Sequence, residues 1–273
     1  MQIQELKNNI EIIWNKKQNN EEFDKNEEIK IANEVLDLLD GGKIRVAEKN
    51  EKGEWITNEW IKKAILLSFS QQNKKIEAFS NSIWFDKCEN KFTNWTEKDF
   101  QTAGIRAVAG AFVRKGAFFE KGVVIMPSFV NIGANVGEGT MIDSMTTIGS
   151  CCQIGKHCHI SANVCIGGVL EPLQATPVII EDNCFIGAGS MITEGVIIGE
   201  GSVIAGGVVL SSGVKIINRA TGEVLKGKIP PYSVVVAGTY KSTDNISINC
   251  AVIIKQINEE IRKKTSTNDL LRQ

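Results

Sequence analysis

A period of six residues governs the middle of the chain. Counting every sixth residue from Val124 gives an aliphatic side chain at each position through Ile166, and the same period runs from Ile180 to Ile216. No α-helix has this period, whereas a short strand followed by a corner does. The pattern predicts a mainly β protein, a parallel β-helix with six-residue sides. If three sides make a coil, the repeats build about five coils stacked roughly 4.8 Å apart.

A second set of positions supports the same frame. The residue four places after each aliphatic one is nearly always small, as expected for a second side chain that points into a narrow interior. These residues are Ser128, Ala134, Thr140, Thr146, Cys152, Cys158, Val164, Cys184, Ser190, Val196, Ser202, Val208 and Val214. Ile166 and Ile180 are separated by two residues more than two repeats, and Pro172 and Pro177 lie between them. We therefore expect a loop near residues 168–178 that is expelled from the prism.

The flanking regions have other patterns. Residues 1–105 carry apolar side chains at helical spacing and predict an N-terminal helical domain of three or four helices. Thr96 with Asp99 resembles a capping box, and Gly104 is placed to end that helix. The β-helix domain is expected over 106–220. The period fails after Ile216, and we expect the chain to leave the prism there as a β-hairpin. Residues 221–273 are predicted to form a small β/α extension.

Charge and cysteine usage exclude several classes of protein. The net charge is -1 with a pI near 6.2, so neither a nucleic-acid footprint nor a polybasic membrane anchor is present. No run of about 18 apolar residues and no secretory signal is found, which predicts a cytoplasmic protein. The seven cysteines are an odd number, so reduced thiols are expected rather than a disulfide framework.

A cluster of cysteines and histidines between residues 151 and 165 invites a metal site. The repeat frame argues against it, because Cys152 and Cys158 fall on inward positions and the histidines fall at other phases. We predict no metal. His157 and His159 remain candidates for a catalytic base, although the sequence pairs neither of them with an orienting carboxylate.

Several segments are similar to those of a known family. They are RVAEK (45–49), LLSF (66–69), FDK (85–87), RKGAF (114–118), MPSFVNIGA (126–134), EGTMID (138–143), GGVLEPLQATPVIIEDNCFIGA (167–188), SVVVAG (233–238) and CAVIIK (250–255). Through these segments the chain resembles, almost from end to end, the tetrahydrodipicolinate N-succinyltransferases, a family of hexapeptide-repeat acyltransferases. This resemblance implies a left-handed β-helix, a homotrimer, and succinyl transfer from succinyl-CoA to the amine of tetrahydrodipicolinate in its ring-opened form, in lysine and diaminopimelate biosynthesis. It implies succinyl-CoA as co-substrate and no permanently bound cofactor.

The resemblance also assigns two residues of the acceptor site, Arg106 and Asp143. A guanidinium suits a dicarboxylate acceptor because it can grip a carboxylate through two hydrogen bonds. The attacking ammonium must first lose a proton, and we hypothesise that Asp143 accepts or orients it. An ordinary aspartate is a weak base, so this role requires burial between subunits.

One segment departs from the family. Where the family often has Arg-Ser-Glu, this chain has Gly189-Ser190-Met191, and a methionine cannot transfer a proton. Either Asp143 suffices, or another acid such as Glu194 or Glu171 compensates, or the substrate or activity has changed. The alternatives are a same-fold acyltransferase with another donor such as acetyl-CoA, and a non-catalytic trimeric ligand-binding protein.

A basic stretch near the end of the repeats is a candidate for the CoA phosphates. It consists of Lys215, Arg219, Lys226 and Lys228. An ordinary solvated basic segment would look the same, so no individual CoA contact is assigned.

Overall fold

The structure is a computed structural model that describes residues 3–71, 74–78 and 82–272. Its N-terminal part contains the helices α1 (Ile3–Gln18), α2 (Lys25–Asp40), α3 (Glu59–Ser68) and α4 (Glu97–Ala103). Two antiparallel hairpins accompany them, β1 (Ala47–Lys49) with β2 (Trp55–Thr57), and β3 (Lys74–Ala78) with β4 (Ser82–Asp86). The predicted helices are therefore present together with strands that the helical spacing did not indicate.

Local signals set the ends of these helices. The capping box between Thr96 and Asp99 is formed at the start of α4, and Gly104 adopts the left-handed conformation at its end. Helix α3 begins after Asn58, which is its N-cap. No helix in the described part of the chain is both long and apolar enough to cross a bilayer.

The middle of the chain is a three-sided prism of two-residue parallel strands. The first face contains β5 (Arg106–Ala107), β8 (Val124–Ile125), β11 (Met141–Ile142), β14 (His159–Ile160), β17 (Phe185–Ile186) and β20 (Val203–Ile204). The second face contains β6 (Phe112–Val113), β9 (Phe129–Val130), β12 (Thr147–Ile148), β15 (Cys165–Ile166), β18 (Met191–Ile192) and β21 (Val209–Leu210). The third face contains β7 (Phe118–Phe119), β10 (Asn135–Val136), β13 (Gln153–Ile154), β16 (Ile179–Ile180), β19 (Ile197–Ile198) and β24 (Lys228–Ile229). In each strand the second residue points inward and the first points outward.

The interior has the composition that the period predicts. The inward aliphatic residues from Val130 to Leu210 form one core cluster with the inward cysteines. Hydroxyl groups in the small positions bond to the backbone of the next coil; for example, the Thr146 hydroxyl donates to the carbonyl of Ser161 at 3.0 Å. The core is therefore a continuous apolar column in which small side chains fill the corners.

The start of the period was misplaced by one residue. Met141 pairs with Val124 and Ile142 with Ile125, so Ile125 is the buried residue and Val124 faces outward. The corner between β8 and β9 is one residue shorter than the others, which hides the earlier repeats. Because β5, β6 and β7 lie before that corner, each face has six or more strands, and five coils was an underestimate.

The C-terminal part also differs from expectation. After β21 the chain makes β22 (Ile216–Asn218) and β23 (Val224–Leu225), and it then returns to the prism. Strand β24 pairs in parallel with β19, and β25 (Ser233–Thr243) pairs in parallel with β20. The prediction that this segment leaves the prism was wrong for these strands, since the period is only interrupted. Strand β26 (Ile246–Gln256) and the helices α5 (Glu259–Lys264) and α6 (Thr267–Leu271) complete the chain.

The predicted expelled loop is present between β15 and β16. Leu170 packs against the core of the N-terminal helices. The Lys62 ammonium on α3 is buried and donates to the carbonyl of Ala175 at 2.6 Å. The loop is thus held to the helical region as well as to the prism.

Candidate functional site

Asp143 lies at the corner between the first and second faces. Its backbone N-H continues the ladder by donating to the Ile160 carbonyl at 2.9 Å. Its Oδ1 accepts from the backbone N-H of Ser144 at 2.7 Å. That hydrogen bond fixes the carboxylate and leaves Oδ2 directed away from the turn.

His159 is the nearest titratable partner of this carboxylate. Its Nε2 lies 3.9 Å from Asp143 Oδ2, and its ring stacks on Phe185 with centroids 5.5 Å apart. The sequence indicated no carboxylate partner for either histidine, and for His159 this prediction was wrong. The signal was available in the period, because a coil of three six-residue sides places residue 159 directly above residue 141.

Arg106 occupies the same face but is not next to Asp143. Along the outward row of the first face it is followed by Val124 and then Met141, so two strand spacings, about 10 Å, separate it from Met141. The side chain is exposed, and in the described ranges it has no ion-pair partner. Within one protomer the two residues are therefore two strands apart rather than adjacent.

The other acids proposed to compensate for Met191 lie elsewhere. Glu194 sits at the corner between the second and third faces, where its Oε2 accepts from the Ser212 hydroxyl at 2.6 Å. Glu171 is exposed on the expelled loop. Met191 itself faces outward on the second face. The structure brings neither glutamate to Asp143 within one protomer, and His159 is the titratable side chain nearest to it.

The remaining histidine and the inward cysteines lie where they shape the prism, at a corner and in the core. His157 lies at the corner between the third and first faces and adopts a positive φ of 51°. Cys152 and Cys158 point into the core, as the frame predicted. Burial raises the pKa of the neighbouring Cys151 to about 12, and it also raises the pKa of Cys152. These thiols are therefore protonated and inaccessible, and they do not suit a covalent intermediate.

The basic stretch surrounds the excursion of the chain between β21 and β24. Lys215 places its ammonium 3.9 Å from the centroid of the Tyr240 ring. Arg219 donates to the Ile254 carbonyl at 3.3 Å. Lys226 and Lys228 are exposed. Lys215, Arg219 and Lys226 thus lie on connections next to β22 and β23, and Lys228 lies on β24.

Two family profiles match this chain. The profile described as tetrahydrodipicolinate N-succinyltransferase N-terminal matches residues 5–70, and the profile described as hexapeptide repeat of succinyl-transferase matches residues 177–212. Both agree with the elements found in those ranges.

Relatives match over the whole chain. A Wolbachia pipientis protein named 2,3,4,5-tetrahydropyridine-2,6-dicarboxylate N-succinyltransferase is 53% identical over 274 residues, which is 100% of both chains. A Chromobacterium violaceum protein of the same name is 55% identical over 247 residues, covering 90% of each chain.

A solved structure agrees in fold. A Campylobacter jejuni protein, provisionally described as a 2,3,4,5-tetrahydropyridine-2-carboxylate N-succinyltransferase, superposes with a TM-score of 0.52 at 18% identity. The match covers 83% of this chain and 62% of that one. The predicted fold class, a left-handed parallel β-helix with N-terminal helices and a C-terminal extension, is confirmed.

Proposed function

This chain belongs to the family of tetrahydrodipicolinate N-succinyltransferases, and on that premise we propose that it transfers succinyl from succinyl-CoA to the amine of tetrahydrodipicolinate. It is an acyltransferase that consumes an acyl-CoA and serves lysine and diaminopimelate biosynthesis. The observation that carries the site assignment is the approach of His159 Nε2 to Asp143 Oδ2 at 3.9 Å on an open face of the prism.

We assign acceptor binding to Arg106 and Asp143. The acceptor in its ring-opened form is an extended dicarboxylate with an amine at one end. Its far carboxylate can be held by the guanidinium of Arg106 while the amine lies at Asp143, because the two positions are separated by about two strand spacings. A compact acceptor would not span this distance.

Asp143 and His159 are proposed to handle the amine proton. The ammonium of the acceptor gives a proton to the imidazole of His159, whose ring is oriented by the Asp143 carboxylate and by the Phe185 stack. The free amine then attacks the thioester carbon, the carbon-sulfur bond breaks, and the departing CoA thiolate takes the second proton that the attacking nitrogen loses as it becomes the amide. An imidazole can accept a proton near neutral pH more readily than an ordinary carboxylate, so Met191 leaves no missing step.

We propose that the protein works as a homotrimer in the cytoplasm. Large apolar side chains stand exposed on and beside the second face, including Met145 at 68% and Met191 at 44%, and neighbouring copies would cover them. All seven cysteines are free thiols, which suits a reducing compartment. The basic residues of the C-terminal end are assigned to the phosphates of succinyl-CoA.

The test is thiol release from succinyl-CoA with and without tetrahydrodipicolinate, run beside acetyl-CoA. Acceptor-dependent release that prefers succinyl-CoA is expected, and it should collapse in Asp143→Ala. Preference for acetyl-CoA would support the same fold with another donor. Acceptor binding without any thiol release from a folded protein would support a non-catalytic ligand-binding role.

A further inference from the structure

A cavity lies away from Asp143, between the β1–β2 hairpin and the third face of the prism. Its volume is about 310 Å³, which is the lower range of small-molecule sites. The Trp55 ring forms one wall, and the Trp55 indole N-H donates to Glu181 Oε1 at 3.0 Å. The cavity is at the edge between the third and first faces, whereas Asp143 is at the edge between the first and second. Nothing in the proposed succinyl transfer uses it.

Asn135 lines the cavity and presents its carboxamide to it. It is the outward residue of β10 and is only 6% exposed. Within the described ranges its carboxamide makes no hydrogen bond, although the adjacent Gln153 is fully engaged: Gln153 Nε2 donates to the Cys151 carbonyl at 3.0 Å. The donor and acceptor of Asn135 are therefore free to bind a ligand in the cavity.

Arg45 supplies a cation with unused donors. Its Nε donates to Gln153 Oε1 at 3.0 Å, while its two terminal nitrogens have no partner in the part of the chain that the structure describes. Burial lowers the pKa of the Arg45 guanidinium, and the carboxylate of Glu120 offsets part of this effect. An unpaired guanidinium fork in a cavity is matched by a carboxylate, which accepts two hydrogen bonds from it.

The rest of the lining selects against a simple anion. Three basic and five acidic side chains surround the cavity and give it a formal charge of -2. Lys49 is paired with Glu181 at 2.6 Å and Lys156 lies 3.7 Å from Glu120, so neither lysine neutralises the other three acids. Glu120 and Asp182 lie close enough to Arg45 to act on its charge. A ligand that places a carboxylate on Arg45 must therefore carry positive charge beside it.

We propose that this cavity binds an amino acid that carries a second amino group. The carboxylate is held by Arg45, the polar head by Asn135, and the ammonium groups by the carboxylates of Glu120 and Asp182. The inference does not rest on the proposed function, because none of these residues belongs to the Asp143 site.

The experiment is calorimetric titration of the full chain with L-lysine as the probe. One saturable site per chain is expected. Pentane-1,5-diamine lacks the carboxylate and L-norleucine lacks the second ammonium, so each is expected to bind at least tenfold more weakly. Equal binding of the diamine, or no saturable heat with L-lysine up to about 10 mM, would overturn the proposal.

Variants assign the site. Arg45→Met and Asn135→Leu are each expected to weaken L-lysine binding at least tenfold, while the remote surface variant Arg272→Met leaves it unchanged. Leucine has the branched shape of asparagine without its donor and acceptor, and Glu120→Gln is a further variant should Arg45→Met or Asn135→Leu not fold. Unchanged affinity in both Asn135→Leu and Glu120→Gln would refute the assignment. Asp143→Asn is expected to keep L-lysine binding while losing thiol release, which separates this inference from the transferase assignment.

Discussion

The exchanges Asp143→Asn and His159→Gln, made singly and together, test whether the two side chains act as one unit. Loss of a positioned base commonly lowers turnover by about 10²–10⁴-fold, and each single exchange is expected to fall in that range. If His159 takes the proton and Asp143 orients it, part of each single loss is shared between the two exchanges. The double variant should therefore be less impaired than the product of the two single effects, by the coupling between the two side chains.

The size of the coupling follows from the geometry. A carboxylate and an imidazolium 3.9 Å apart attract each other by about 1 kcal/mol in water and about 4 kcal/mol at an effective dielectric constant of ~20. The two side chains are 42% and 29% exposed, so solvent screening places the coupling near the lower limit. About 1–2 kcal/mol corresponds to roughly 5–30-fold in rate.

The assay is succinyl-CoA thiol release at saturating acceptor, with circular dichroism to show that each variant is folded. Free imidazole added to His159→Ala should restore part of the rate, but it should not restore Asp143→Asn, which still has its own imidazole. Single effects that multiply in the double variant would show two independent groups. Near wild-type turnover in His159→Gln would refute the assignment of His159 as the base.

Three further outcomes concern the fold. Ile160→Ala removes a fully buried side chain from the prism core, and we expect it to lower the free energy of unfolding by about 2–5 kcal/mol in urea titrations. Val209→Ala, at a side chain that is 47% exposed, should change this free energy far less, and equal losses would contradict the inward assignment of Ile160. Burial lowers the pKa of Lys62 from its usual value of 10.5, so between the folded-state pKa and 10.5 the unfolded chain binds more protons than the folded chain. The stability of the wild type should therefore rise relative to that of Lys62→Met as the pH approaches 10.5, with Lys63→Met as the control. A stability difference that does not change with pH would contradict this reasoning. Loss of the Lys62 bond to Ala175 should also speed amide hydrogen exchange in the expelled loop.

The period of six residues determines which side chains form the interior of this protein. In a solenoid each repeat contacts only its neighbours, so the phase of a residue decides whether it faces the core, and Cys152 and Cys158 were placed correctly for that reason. The failures lie where the period changes. One missing residue at the corner before Val130 concealed the first repeats, and an excursion concealed the return of the chain at Lys228.

For the candidate site, too, some features follow from the sequence and others only from the structure. The resemblance supplied Arg106 and Asp143, and the coil length of 18 residues would have stacked His159 over Met141. Only the tertiary structure shows that the imidazole approaches the carboxylate, since that depends on the shape of one corner. The cavity beside the β1–β2 hairpin is likewise visible only in the tertiary structure. Arg45 and Gln153, which are 108 residues apart in sequence, meet there because the hairpin packs on the prism. A repeat encodes contacts between neighbouring coils, but it carries no information about which face a separate domain will cover.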